Sequence, residues 1–312
     1  MSSSNNNLLV PILALLSLLS SGCGGSADRS AGGDRELRVL LVPADGGTEE
    51  GTKMDFEPLF QAVGRETGRR FSVRVGQSYT AVVQAMANGQ VDIAFFGAVT
   101  YLQARNLNAA ELLAVGVREG ESVYYSAIFV RKDSGIGALS DLKGKSVAFG
   151  DLNSTSSFNY PVAMLLEAGI DPVADLGKII LAGSHANALA ALDAGKVDAA
   201  CASLTSYSKA VENGQIAPEA IQIVEKSEPI PYPPLAMHPS LELGLKEALR
   251  EGFRTLHEST AINREMLRGY GGQTVDRYDV DFPEAEFDRA MTKLARVTDE
   301  LKAEILRKAG ER

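Results

Sequence analysis

A run of small polar residues, Asp151-Leu152-Asn153-Ser154-Thr155-Ser156-Ser157, follows an apolar stretch ending at Phe149-Gly150 and precedes a segment with helical spacing. Backbone N–H groups at the start of a helix have no internal partner, and the aligned peptide dipoles leave partial positive charge there. Each Ser or Thr hydroxyl adds a donor that can reach an oxygen of a tetrahedral anion without carrying net charge. The same residue types also serve as plain helix caps, and the residues alone leave both readings open. Pro161 removes a backbone donor a few residues further on, so a kink or a later helix start is expected.

Tyr79 and His185 each directly follow a serine, Ser78 or Ser184, that is placed to cap a helix. An imidazole, neutral or protonated, can donate to an oxyanion; a satisfied structural histidine is the competing reading. Catalysis finds no support. No Gly-x-Ser-x-Gly elbow occurs, and His185, His238 and His257 show no metal-ligand spacing. Lys143-Gly144-Lys145-Ser146 lacks the upstream glycine of a phosphate loop, whose place is taken by Leu139, and a strand follows it where a helix is required. Neither a metal nor a cofactor is expected.

The elements that must position these residues alternate between short apolar runs and helical patterns, which indicates an α/β fold with mostly parallel strands. Strands are expected at 37–42, 71–75, 91–96, 127–130, 146–149, 179–181, 197–201 and 221–224, with helices at 55–66, 80–87, 163–168 and 186–194. Residues 78–94 align without gaps on 184–200, matching Ser78 to Ser184, Ala85 to Ala191, Gly89 to Gly195, Val91 to Val197, Asp92 to Asp198 and Ala94 to Ala200. Each set reads as cap, helix, glycine stop and strand, so the chain holds two lobes built alike or two generic αβ units. Two such lobes around one solute imply closure by hinge motion. The proline-rich stretch 228–234 suits one crossover, since proline excludes helix and holds an extended path, and the other crossover is expected near 124–131. Lobe 1 is then 37–127 with 230–312, lobe 2 is 128–229, and the helical segments 241–255 and 284–308 are expected to pack back on lobe 1.

With 312 residues and 45% hydrophobic content the chain can build a substantial core, and its net charge of −9 argues against a nucleic-acid surface. Residues 8–20 form an apolar run too short to span a bilayer, read as the core of a signal peptide. Leu19-Ser20-Ser21-Gly22-Cys23 follows and is similar to a bacterial lipobox, which makes 1–23 a lipoprotein signal peptide, Cys23 the lipidated residue and 24–36 a flexible Gly/Ser tether. The first residues carry no Lys or Arg, which leaves a plain signal peptide as the alternative. Cys201, the other of the 2 cysteines, lies in an Ala-rich run and is expected to be a small buried residue.

Over about 37–256 the chain resembles the substrate-binding proteins of phosphate, phosphite and phosphonate ABC transporters, the PhnD-like family. The resemblance is carried by Val91-Asp92-Ile93-Ala94-Phe95-Phe96-Gly97, by Gly150 to Ser156, by Gly183-Ser184-His185 with Gly195-Lys196-Val197-Asp198-Ala199, and by Ser227-Glu228-Pro229-Ile230-Pro231. It implies a type II periplasmic binding fold in which Ser154, Thr155, Ser156, His185 and Tyr79 hold the oxyanion. Phe96, which stands where some members have tyrosine, together with Thr205 and Tyr232, completes the expected ligand set. Members that bind aminophosphonates place carboxylates at positions that match Thr205 and Pro233 here. An ammonium moved into a cleft without such a partner loses its solvation and gains no counter-charge. The implied ligand therefore lacks an amine: phosphite, phosphate or a small alkylphosphonate. The implied partners are an importer permease and, through Cys23, a membrane; a monomer in the periplasm or on the cell surface is expected. An oxyanion sensor for a membrane receptor and a sulfonate-binding protein are the alternative readings.

Overall fold

In the computed structural model the described residues are 35–44, 49–260 and 262–311. The expected signal peptide, Cys23 and nearly all of the tether lie outside them. Strand β1 (Leu37–Leu41) buries Leu37, Val39 and Leu41 and takes the next-to-edge place in a six-stranded sheet, paired on both sides. Helix α1 (Glu49–Thr67) leads from it to β2 (Phe71–Val75), α2 (Tyr79–Ala87) to β3 (Ile93–Phe95), and α3 (Ala98–Asn106) to β4 (Glu111–Val117). A short crossover strand β5 (Val123–Tyr124) carries the chain to a second, five-stranded sheet. That sheet is built from β6 (Ser126–Arg131), β7 (Ser146–Phe149), β8 (Lys178–Leu181), β9 (Ala199–Ser203) and β10 (Ile221–Lys226), with helices α4 (Tyr160–Glu167), α5 (His185–Asp193) and α6 (Leu204–Glu212) between them. The return runs through β11 (Ile230–Pro231), antiparallel to β5, into β12 (Pro234–Met237), then α7 (Leu243–Thr255), β13 (Arg277–Asp279), α8 (Ala285–Thr292) and α9 (Asp299–Gly310).

The sheet orders are β13-β4-β12-β3-β1-β2 and β10-β6-β9-β7-β8. Each has a parallel half, β3-β1-β2 in the first and β9-β7-β8 in the second, extended by antiparallel strands. The sheets are thus mixed, not mostly parallel: in the first, β12 returns from the second lobe and runs against β3 and β4, and in the second, β6 enters first and runs against β9 and β10. The gapless alignment of 78–94 on 184–200 corresponds to equivalent structure. Ser78 and Ser184 cap α2 and α5 in extended conformation, Gly89 and Gly195 end them at φ 63° and 66°, and Asp92 and Asp198 accept the backbone N–H of Arg38 and Ser146 at 2.8 Å. Positive φ carries no steric cost only for glycine, which explains the stop residue.

Strand β4 and helices α3 and α6 lie outside the expected elements: α3 starts after Gly97 with no side-chain cap, and the Ser203 that caps α6 directly ends an Ala-rich strand. The helix pattern at 284–308 resolves into two elements. Helix α8 lies against α3 beside the first sheet, whereas α9 packs on β8 of the second, where Lys308 donates to the carbonyls of Val173 and Leu176. Residues 299–310 therefore depart from the expected lobe 1 grouping. An apolar face such as that of Leu301, Ile305 and Ala309 says that a helix packs, but not on which sheet. Among the described residues no helix is long and apolar enough to cross a membrane.

Candidate functional site

Four helix starts converge between the two sheets. Tyr79 opens α2, Gly97 precedes α3, Ser154 precedes a wide π-helical turn at Thr155–Asn159 that runs into α4, and His185 opens α5. All of these line one small enclosed space, with Val42, Ala44, Phe95, Phe96, Tyr124, Thr155, Ser156, Pro233 and Tyr270. No Lys, Arg, Asp or Glu is among the lining residues. Positive potential in this space comes from helix ends and hydroxyl donors, which suits an anion.

The Ser154–Ser156 loop is shaped by Gly150 and Pro161. Pro161 has no N–H for the carbonyl of Ser157, and Gly150 supplies one instead, its N–H donating to Ser157 O at 3.0 Å. A side chain at Gly150 would strike Ser157, with a Cβ 2.1 Å from its Oγ. The chain widens into the π-turn, in which Asn159 N–H bonds to Ser154 O at 3.1 Å, so the helix begins later than uninterrupted spacing suggests. Ser154 Oγ caps the turn by accepting the Ser157 N–H at 3.1 Å. Ser126, at the crossover, donates to Ser156 O at 2.6 Å and ties the loop to the hinge.

Residues from both sheets complete the wall. Thr155 Oγ1 accepts the N–H of Val99 on α3 at 3.0 Å, Asn153 Nδ2 donates to Thr80 Oγ1 at 2.9 Å, and Gln103 Nε2 donates to Asn153 Oδ1 at 3.1 Å. Asp151 accepts backbone N–H groups of Asn153 and Tyr79, yet burial dominates and raises its pKa. His185 is 1% exposed, and burial alone pushes its pKa down to about 3, so the ring is neutral. Its Nδ1 accepts the Ser203 N–H at 3.0 Å, which leaves the proton on Nε2. That N–H makes only long contacts, 3.3 Å to Ser154 Oγ and 3.4 Å to the Tyr270 hydroxyl. The Ser154–His185 pair thus has the wrong tautomer for a general base: the imidazole donates to the serine and cannot take its proton.

Of the residues singled out by sequence, Tyr79, Phe96, Ser154, Thr155, Ser156 and His185 all face the enclosed space. Thr205 and Tyr232 do not. They line an open groove on the far side of Tyr124, with Arg118, Glu119, Glu121 and Gln273. Thr205 is the second residue of α6, whose capping serine Ser203 faces inward, so one step along the helix turns Thr205 outward. Tyr232 is held by its ring edge against Gly116 and by its hydroxyl, which donates to Tyr270 O at 3.5 Å. Pro233, matched in sequence to a carboxylate position of aminophosphonate binders, does line the space, whereas Tyr270, Tyr124 and Phe95 were missed as lining residues. Tyr270 lies in Gly269-Tyr270-Gly271-Gly272, outside any periodic segment, and an aromatic residue flanked by glycines was the available signal. Among the described residues no group of His, Cys, Asp or Glu could hold a metal ion.

Two mixed α/β sheets joined by two crossovers, with an enclosed polar space between them, define a two-lobed solute-binding protein of the type II periplasmic class. A family model of ABC transporter periplasmic phosphonate substrate-binding proteins matches residues 47–281. The chain belongs to this family, whose members are binding proteins of importers and not enzymes. It is 31% identical over 233 residues to the phosphate-import protein PhnD of Mycolicibacterium smegmatis, covering 70% of this chain and 72% of that one. It is 25% identical over 268 residues to the phosphonates-binding periplasmic protein of Escherichia coli, covering 83% of this chain and 78% of that one. Its fold is similar to that of PhnD1 from Prochlorococcus marinus, solved in complex with methylphosphonate, with a TM-score of 0.71 at 18% identity over 83% of this chain and 97% of that one.

Proposed function

We propose that the enclosed space binds a phosphorus oxyanion lacking an amine, namely phosphate, phosphite or a short alkylphosphonate, and that the closed protein delivers it to an importer permease. The observation that carries this reading is the composition of the wall: donors from helix starts and hydroxyls, with no carboxylate to meet an ammonium. The position matching one carboxylate of aminophosphonate binders is Pro233, which faces the cavity; the other is Thr205, which faces the outer groove. Similarity to a phosphate-import protein supports the same choice. Oxyanion oxygens would take donors from Tyr79, Ser154, Thr155, Ser156 and the Nε2–H of His185. Closure is favoured because both sheets contribute contacts that only the closed form brings together.

A calorimetric and thermal-unfolding panel on the chain from residue 24 tests this with phosphate, phosphite, methylphosphonate, 2-aminoethylphosphonate and sulfate. A ligand at 100 times its Kd stabilises by about 2.7 kcal/mol. Phosphate or phosphite is expected to bind most tightly. Tightest binding of 2-aminoethylphosphonate or sulfate would overturn the assignment. The proposal extends to membrane tethering through acylated Cys23, for which two acyl chains suffice. Loss of the protein from the membrane fraction in a Cys23→Ala variant checks it, and unchanged partition rejects it.

A further inference from the structure

Tyr270 lines the enclosed space and packs against Tyr124 and Tyr232, two tyrosines that line the open groove. Its ring is part of the wall of the enclosed space, and Tyr124 faces both that space and the groove. The ring is edge-on to Tyr124 at 5.5 Å and to Tyr232 at 6.4 Å, and the chain between Tyr232 and Pro233 passes from groove to cavity. Tyr270 approaches from the first sheet, where Asp276 N–H bonds to Val117 O at 2.7 Å. Its hydroxyl ends on the second, 3.1 Å from Ser203 Oγ and 3.2 Å from Ser206 Oγ at the start of α6. The turn that carries it is closely packed at its glycines. A Cβ on Gly269 would lie 2.7 Å from the Tyr232 hydroxyl, and one on Gly272 2.5 Å from Asp55 Oδ1.

The donors come from the helix starts, while Phe95, Phe96, Tyr124, Pro233 and the ring of Tyr270 make up the apolar and aromatic part of the lining. A tetrahedral anion held by three oxygens presents its fourth substituent to that part. Resting on the phosphorus-oxyanion reading above, we infer that Tyr270 is the specificity-determining residue that limits this substituent to the size of hydrogen, hydroxyl or methyl. Glu119 and Glu121 line the groove beyond Tyr124 and Tyr232, and truncating the Tyr270 ring would enlarge the space on their near side.

The test compares binding of phosphite, methylphosphonate and 2-aminoethylphosphonate to the natural protein and to Tyr270→Phe, Tyr270→Leu and Tyr270→Ala. The natural protein and Tyr270→Phe, which keep the ring, are expected to exclude 2-aminoethylphosphonate. In Tyr270→Ala the Kd ratio of 2-aminoethylphosphonate to phosphite should fall at least about tenfold, the scale of one buried contact. Tyr270→Leu carries the same comparison should the alanine variant fail to fold. An unchanged ratio in the folded truncated variants overturns the inference, and so does a Tyr270→Phe protein that already admits the longer ligand. Failure of the natural protein to bind any of the three would overturn the oxyanion reading itself, a different result from binding with unaltered selectivity.

Discussion

Thr155 Oγ1 accepts the Val99 N–H across the cleft at 3.0 Å, so a hydroxyl on the second sheet's side caps a helix of the first. Helix α3 begins at Gly97, which has no side chain to serve as its own cap. Closing the lobes supplies the cap, and the Thr155 proton stays free to donate into the cavity. A side chain at Gly97 would crowd this bond, with a Cβ 3.0 Å from Thr155 Oγ1.

Replacing Thr155 with Val should therefore remove both a ligand donor and the cross-lobe cap. A lost cap costs about 1 kcal/mol and a lost bond to a charged partner about 1.5–3 kcal/mol, together roughly a hundredfold or more in ligand Kd. Thr155→Ser, which keeps the hydroxyl, should stay within about tenfold of the natural protein. Calorimetric titration decides, and equal Kd for Val and Thr would remove the bond from the closure mechanism.

Acid should weaken the folded state through His185. Its pKa falls from 6.5 to about 3 because burial disfavours the imidazolium. The unfolded chain takes up this proton near 6.5 and the folded one only near 3, so between those values the unfolded state binds more protons. Stability is then full above pH 6.5 and declines as pH falls toward 3, by up to about 1.4 kcal/mol per pH unit from this group. Unfolding curves across that window should be steeper for the natural protein than for His185→Asn. Parallel curves would show that the ring is not held neutral by the fold.

The Ser154–Ser156 loop was legible because its chemistry is local: these residues sit at a helix start, and a strand-loop-helix order can be read from periodicity. Tyr79 and His185 were legible because they recur at equivalent places in two matched units. What stayed hidden depends on contacts between distant segments. Tyr270 reaches His185 from 85 positions away, and nothing in a window around Gly269 to Gly272 reports that approach. The tautomer of His185 was likewise invisible, since it is set by the Ser203 N–H on another strand. Thr205 and Tyr232 failed for a narrower reason: one residue of register on a helix start or in an extended crossover decides which wall a side chain joins.

A second bond between the sides of the cleft is ionic. Lys209 on α6 pairs with Asp55 on α1, and their side chains are only 16% and 14% exposed. A pair shielded in this way is screened less by salt than a surface pair, and loss of one partner leaves the other charge partly desolvated. Lys209→Met should raise the ligand Kd several-fold by destabilising the closed form, while Asp55→Asn with Lys209→Met should show coupling of about 1 kcal/mol in a double-mutant cycle. Additive single effects would mean that the pair does not contribute to closure.

The matched aspartates make the final prediction, because equivalent positions carry unequal loads. Asp92 is buried, which works to raise its pKa, but hydrogen bonds from the side chains of Arg35 and Arg38 and from the Arg38 N–H outweigh burial and hold the carboxyl well below the usual range. Asp198 is lowered by the Ser146 hydroxyl and backbone N–H, at 2.6 and 2.8 Å, with no guanidinium bound to it. Both groups therefore add stability that is present above their unfolded pKa and lost as pH falls through the folded value. Hydrogen bonds to a charged acceptor contribute about 1.5–3 kcal/mol each, and removing the carboxylate strands a strand N–H that nothing else can satisfy. Asp92→Ala should accordingly destabilise more than Asp198→Ala in denaturant unfolding at neutral pH. Neither aspartate lines the cavity, so ligand Kd in the folded variants should hardly change. A larger loss at Asp198 than at Asp92 would show that the arginines add nothing to what the shared backbone bond already provides.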